Sequence, residues 1–425
     1  MQRGFGPLIS LKPRLAHERM MGTLRFFAIM SLAASLCAPV HAQTTCSATE
    51  QFTLDWNAQT QGAQGSGTQV YSATDGGGRS ETVTVTYNGD TTAFVPIAFG
   101  GTIGTVTTPY IGVVNTGGLP STTESTLTLG TVFSAFQTNI DNATNSVGIR
   151  LTFSKPLREM RFVMLDIDYT NAQFRDWIKV TGVSPTAGTI IPLISSPYGG
   201  RNNQTNPGQT SPATTVIGPY TASVPNFSGS EIVGNTGNST DTQNNGNLTI
   251  SFAQPVNQVD IRYANGPAAY MSGTPGQQAI SIHDFNFCTM PSIQLGKTSA
   301  PVATTGDNRF NIPGADVDYT ITITNSGGSP VDLNTTSISD LLPAEVAFFN
   351  GDIDAVTAGT QNFVFTPGTS GLSLAAANIS YFDSANASIT PSAGYDAGVR
   401  RVRWIPQGPM AANSTATIRF RTRIN

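Results

Sequence analysis

The sequence predicts an all-β protein of two β-sandwich domains, jelly-roll-like followed by immunoglobulin-like. Three observations carry that expectation. Apolar and hydroxyl side chains alternate with period two in many short runs, the pattern of half-buried strands. The 43 Gly and 26 Pro punctuate those runs. Charged residues make up only 11% of the 425 positions, against about a quarter in ordinary soluble domains, so little material exists for salt-bridged surface helices. Many strands without crossover helices imply antiparallel sheets packed face to face.

Residues 1–42 read as a secretory signal peptide. Arg14, Arg19 and Arg25 precede an apolar run from Phe26 to Cys37, followed by Pro39 and the small-residue cleavage site Val40-His41-Ala42. The run is too short for a membrane anchor, and no later stretch reaches the roughly 18 apolar residues a spanning helix needs, so no transmembrane segment is expected after cleavage. Cleavage would remove Arg3, Lys12, Arg14, Arg19, Arg25 and Glu18, taking the net charge from −4 to −8. That sign disfavours nucleic acid as a partner. It would also leave His283 as the sole imidazole, which excludes His-rich zinc sites. Cys46 and Cys288 remain as an even pair. In an exported chain they are expected to form a disulfide closing the first domain, with two free buried thiols as the other reading.

The first domain is placed at residues 43–290. Glu81 to Tyr87, then Asn88-Gly89, then Ala93 to Ile97, reads as a hairpin. Further strands are expected at Leu127–Phe133, Val147–Phe153, Met160–Asp166, Ile178–Val180, Thr189–Leu193, Leu248–Phe252, Val259–Tyr263 and Ile280–Phe287. Two segments repeat each other: Leu151 to Phe162 and Ile250 to Ile261 share their apolar, aromatic and Pro positions. Each reads as a strand, a Pro-bearing corner and a second strand, an arrangement that carries the chain from one sheet to the facing one. Between the repeats, Tyr198 to Asn247 is dominated by Gly, Asn, Ser, Thr and Pro and reads as long loops.

Residues 291–305 read as a small-residue linker, and 306–425 as a second sandwich. In Val317 to Ile323 the apolar Val317, Tyr319, Ile321 and Ile323 take one face while Asp318 and Thr take the other. Closing strands follow at Val399–Ile405 and Ser414–Ile424. This domain resembles the bacterial surface-repeat family known as domain of unknown function eleven. The residues carrying the likeness are Pro313-Gly314, Val317, Tyr319-Thr320-Ile321, Ile323, Asn325, Gly327, Asp340, Leu342-Pro343, Thr417, Ile418 and Phe420. The resemblance covers about a third of the mature chain and implies an extracellular immunoglobulin-like spacer or adhesion module without catalytic residues. It departs from the family in having one copy and a long segment from Ile353 to Ala397. The first domain is similar, more loosely, to jelly-roll surface and sugar-binding modules, through the run from Phe153 and Pro156 to Asp166-Ile167-Asp168.

For chemistry, Asp166 and Asp168 share a strand face, Asp176 follows after a loop containing Asn171, and Asp284 lies near the domain's end. Hard carboxylate oxygens at this density suit a structural Ca²⁺; the plainer reading is that they cap strand ends. A glycosidase pair needs only two acids, yet no second constellation supports hydrolysis. His283-Asp284 lacks a Gly-x-Ser-x-Gly elbow, and strand neighbours point to opposite faces, so His283 is expected to face solvent. Tyr169, Trp177, Tyr198, Tyr220, Tyr263 and Tyr270 offer faces for sugar stacking or serve as packing. Arg401, Arg403, Arg419, Arg421 and Arg423 would form a basic stripe if their strands pair. The expected function is a secreted, non-enzymatic cell-envelope or surface protein acting in adhesion or structural interaction, its partner a glycan or another envelope protein. A calcium-stabilised carbohydrate-binding module is the alternative.

Overall fold

The computed structural model describes residues 45–99, 104–196, 230–235, 237–353 and 361–425, and the backbone alone at 214–216 and 223–225. Residues 1–44, and with them the segment expected as a signal peptide, lie outside the described residues, as do Tyr198, Tyr220 and about half of the Tyr198–Asn247 segment. Among the described residues the chain is all-β, with helical structure confined to five three-residue turns. No helix there is long and apolar enough to cross a membrane.

The first sandwich is organised by β5, which runs through 20 residues. Its strands are β1 (Phe52–Leu54), β2 (Thr68–Asp75), β3 (Ser80–Gly89), β4 (Thr126–Thr131), β5 (Ser146–Leu165), β6 (Phe174–Ser184), β7 (Leu248–Ser251), β8 (Val256–Asn265), β9 (Gln278–Ile282) and β10 (Phe285–Thr289). The first half of β5 lies between β3 (Val85 opposite Leu151) and β8 (Ile261 opposite Ile149), and β6 extends that sheet beyond β8. The second half pairs with β7 (Ile250 opposite Phe162), β9 and β10. The two halves therefore take different partner strands within one continuous hydrogen-bonded sheet, and β7 and β8, joined through Pro255, divide between the two halves in the same way. Both repeated segments are corners, as the internal likeness implies. At the β5 corner Glu159 has φ 55°. Here Asn286 and Cys288 oppose Arg161 and Arg158, a bulge that turns the strand. Val83, Leu151, Ile261, Phe162, Ile250 and Phe285 meet in one buried core.

The hairpin expected at Asn88-Gly89 does not form. Both edges of β3 are occupied, one by β2 and one by β5. Residues 91–93 make a helical turn instead, and Pro96–Phe99 pairs with Gly104–Thr107. A local turn signal loses here to the preceding strand β2 and the distant β5, which together bury Val83, Val85 and Tyr87.

The second sandwich contains β11 (Ile293–Pro301), β12 (Asp316–Asn325), β13 (Ile338–Leu341), β14 (Val346–Asn350), β15 (Ile379–Phe382), β16 (Arg401–Trp404) and β17 (Ser414–Ile424). One sheet holds β11, β12, β17 and β14 in that order, joined by Phe363–Thr366 and Gly394–Asp396; the other holds β13, β16, β15 and Ser388–Ile389. Ile321, Ile323, Phe348 and Phe420 from the first meet Ile338, Val402 and Trp404 from the second in one core. The segment read as a linker is largely strand: β11 pairs along its whole length with β12. Small residues in sequence resemble a connector, but Ile293, Leu295 and Lys297 alternate and take the register of Asn325, Ile323 and Ile321. Only Met290, Pro291 and Ser292 separate β10 from β11.

The arginine stripe divides. β16 and β17 lie in different sheets, and the β17 arginines are spent on acids of β12: Arg419 and Arg421 on Asp318, Arg423 on Asp316.

Candidate functional site

Asp166 and Asp168 follow the end of β5, and Asp176 is the third residue of β6. The backbone ties the last two together: the Asp176 N–H donates to the Asp168 carbonyl (3.0 Å), while the Asp168 N–H donates to Asp176 Oδ2 (3.0 Å). Tyr263 Oη donates to Asp176 Oδ1 at 2.8 Å, and the Ser239 N–H donates to Asp168 Oδ2. Asp168 and Asp176 thus do what strand-capping acids do. Asp166 is different. It sits at φ 69°, and its Oδ1 is sealed from solvent with no hydrogen-bond partner. Burial, then the charge of Asp168, then that of Asp241, pushes the Asp166 carboxyl well above the usual carboxylate range. Burial and Asp168 do the same to Asp176, against the pull of the Asp168 N–H and Tyr263. Asp168 and Asp176 are joined and Asp166 lies beside Asp168, but the three acids do not bring their ligating oxygens within 4.8 Å of one another as one group. Asn171 does not join them; it is exposed and accepts from Tyr169 Oη at 2.8 Å.

Asp284 belongs to another cluster, so the four acids do not share one coordination sphere. The apolar run expected as a single strand at Ile280–Phe287 breaks into β9 and β10, and His283-Asp284 is the break. Outside a strand, adjacent side chains need not point to opposite faces. His283 Nε2 accordingly lies 3.7 Å from Asp284 Oδ2 and 3.8 Å from Glu124 Oε2. The His283 side chain is 14% exposed rather than turned to solvent. The Trp56 N–H donates to Asp284 Oδ1 at 3.0 Å, and Asn57 Nδ2 donates to Glu124 Oε2 at 2.8 Å. Burial pushes the Asp284 carboxyl up to about 6, with Trp56 N–H and His283 drawing it down. Sequence spacing gives no sign of Glu124, which lies 159 positions before His283 and reaches it only through the sheet.

Cys46 and Cys288 form the disulfide, with Cα atoms 6.6 Å apart. Cys288 is completely buried in β10, and the Cys46 N–H donates to Glu159 Oε1 at 3.3 Å, so the bridge fastens the chain start to the β5 corner. Of the described aromatics, Tyr169, Trp177 and Tyr263 are buried, and Tyr270 packs against the small cluster of Ile140, Trp177, Val233 and Ala264.

One feature of the outer sheet face escapes sequence reading. Register places Arg150 opposite Asp260 and Lys179 opposite Arg262. These side chains line a hollow of about 170 Å³ with Asn88 and Asp141. Arg150 bonds Asp260 at 2.7 Å and Lys179 bonds Asp141 at 2.7 Å, while Arg262 Nη1 is sealed without a hydrogen-bond partner. The outward period-two positions of β5, β6 and β8 are the only sequence signal for it. No family model matches the chain, and no curated protein matches it.

Proposed function

We propose that the chain is a secreted, non-enzymatic protein of the bacterial envelope or cell surface that acts in adhesion or structural interaction. The observation that carries this reading is the junction between the two sandwiches. Arg158, 2% exposed at the β5 corner, reaches Asp332 and the Pro330 carbonyl of the second sandwich, both at 3.4 Å. Arg79 donates to the Gly328 carbonyl at 3.3 Å, and Ser329 Oγ donates to the Thr289 carbonyl. Asn325 Nδ2 gathers the carbonyls of Ser329 (2.9 Å) and Ala411 (3.0 Å) behind that contact. A three-residue connection and buried polar contacts suit a module that transmits position or load; freely pivoting domains use longer, exposed linkers. The disulfide fits an oxidising compartment.

A second reading, a calcium-stabilised carbohydrate-binding module, is supported by the sealed Asp166 Oδ1 beside Asp168. It no longer includes Asp284. The two readings separate on one preparation. The tag-free protein is applied to a glycan array with and without chelator, and the producing cells are surface-labelled and fractionated. Envelope recovery with no glycan signal is expected. A chelator-sensitive glycan signal would replace the first reading with the second, and recovery in the cytoplasm with free thiols would end both.

A further inference from the structure

Glu124, His283 and Asp284 come from two segments that the sheet brings together, the loop before β4 and the turn between β9 and β10, and the turn at Trp56–Ala58 backs them. Their ligating atoms all lie within 4.8 Å of one another. Nε2 of His283 is sealed from solvent and has no hydrogen-bond partner. It stands 3.7 and 3.8 Å from the two carboxylate oxygens, beyond the range of an N–H···O bond. A proton on Nε2 therefore satisfies neither acid. Donor atoms of a tetrahedral ion with ligands at roughly 2.0–2.2 Å lie roughly 3.3–3.6 Å apart, so the observed spacings need only a small contraction.

The surroundings hold the three side chains in place. The Trp56 N–H occupies Asp284 Oδ1 and leaves Oδ2 toward His283, and Asn57 Nδ2 anchors Glu124 from the opposite side. Hydrogen bonds of this kind orient ligands in metal sites.

We propose that Glu124, His283 and Asp284 bind one divalent transition-metal ion, Zn²⁺ before others, as a staple joining the two segments. One imidazole with two carboxylates suits a borderline ion better than Ca²⁺, which takes six to eight oxygens. The assignment is independent of the adhesion reading and of the Asp166 cluster.

Titration calorimetry of the tag-free, disulfide-bonded chain with ZnCl₂ tests it. One equivalent should bind, and Glu124→Gln and His283→Ala should each weaken binding at least tenfold while CaCl₂ gives no competing heat. Co²⁺ on the unmutated protein supplies a readout that does not depend on a variant folding. Visible absorption bands of a low-coordinate Co²⁺ should appear and be displaced by Zn²⁺. No uptake of Zn²⁺ by the unmutated chain, an unchanged affinity in Glu124→Gln, or a Co²⁺ spectrum identical to that of the hexaaquo ion would overturn the proposal.

Discussion

Asp166 is held where its charge is disfavoured by its neighbours, and the linkage sign follows from that. Its folded-state pKa, like that of Asp176, is raised by burial and by Asp168. The stability these groups contribute is present in full below the unfolded-state value near pH 4, and it is lost as pH rises through the folded-state values. In chelator, urea unfolding followed from pH 4 to pH 8 should show declining stability on this account. Asp166→Asn, which cannot ionise, should flatten that decline, so that its stability relative to the parent is greater at pH 8 than at pH 4. A variant whose stability declines as steeply as the parent's would mean that Asp166 is satisfied in a way its bare Oδ1 does not suggest. These residue-level facts were half legible in sequence. Asp166, Asp168 and Asp176 fall within eleven positions of one another, so a strand end and a returning strand suffice to gather them. Glu124 and His283 meet only because β4 pairs with β9.

At the scale of elements, the two corners are equivalent devices. Phe153 ends the first half of β5 and is 6% exposed; Phe252 holds the corresponding place after β7 and is 3% exposed. Phe153 meets the Phe287 ring at 5.4 Å, while Phe252 lies where a Cβ on Gly182 would stand, 2.7 Å from its ring. Each of Phe153→Ala and Phe252→Ala should cost about 3–5 kcal/mol in denaturant melts, the range for emptying a buried aromatic site. A cost under about 1 kcal/mol at either would remove the equivalence. The repeat was readable because a corner needs the same chemistry each time: an apolar strand end, a Pro that withdraws a donor, and a second apolar strand. The expected hairpin failed for the opposite reason. Asn-Gly is a local preference worth little beside the burial β3 gains from β2 and β5.

For the whole molecule, the disulfide and the junction act on different transitions. Cys46 and Cys288 close a loop with a sequence separation of 242. Chain entropy values such a closure at about 5 kcal/mol as an upper figure. Once the sandwiches are uncoupled, Cys46→Ser with Cys288→Ser should lower the melting temperature of the first and leave that of the second nearly unchanged. Arg158→Ala acts on the coupling. Asp332 is 34% exposed and keeps access to water when its partner leaves, so the loss should be about 2 kcal/mol, below the 3–5 typical of a stranded buried charge. Calorimetry should then resolve two transitions where the parent shows one. A single unbroken transition in Arg158→Ala would show that the sandwiches are coupled through other contacts.

The sequence by itself determined the all-β class, the strand faces of β12 and β17, the paired corners and the disulfide partners. Each of these is set by local periodicity or by an even count of thiols, and neighbours along the chain are enough to express it. Only the tertiary structure decided that the small-residue connector is strand β11, that the arginines of β17 are neutralised by β12, and that Asp284 leaves the other three acids for Glu124 and His283. Those outcomes depend on which strands become partners. Pairing is fixed by burial across the whole sheet, over separations from 16 residues for β11 with β12 to more than a hundred for β12 with β17, and no local pattern encodes it.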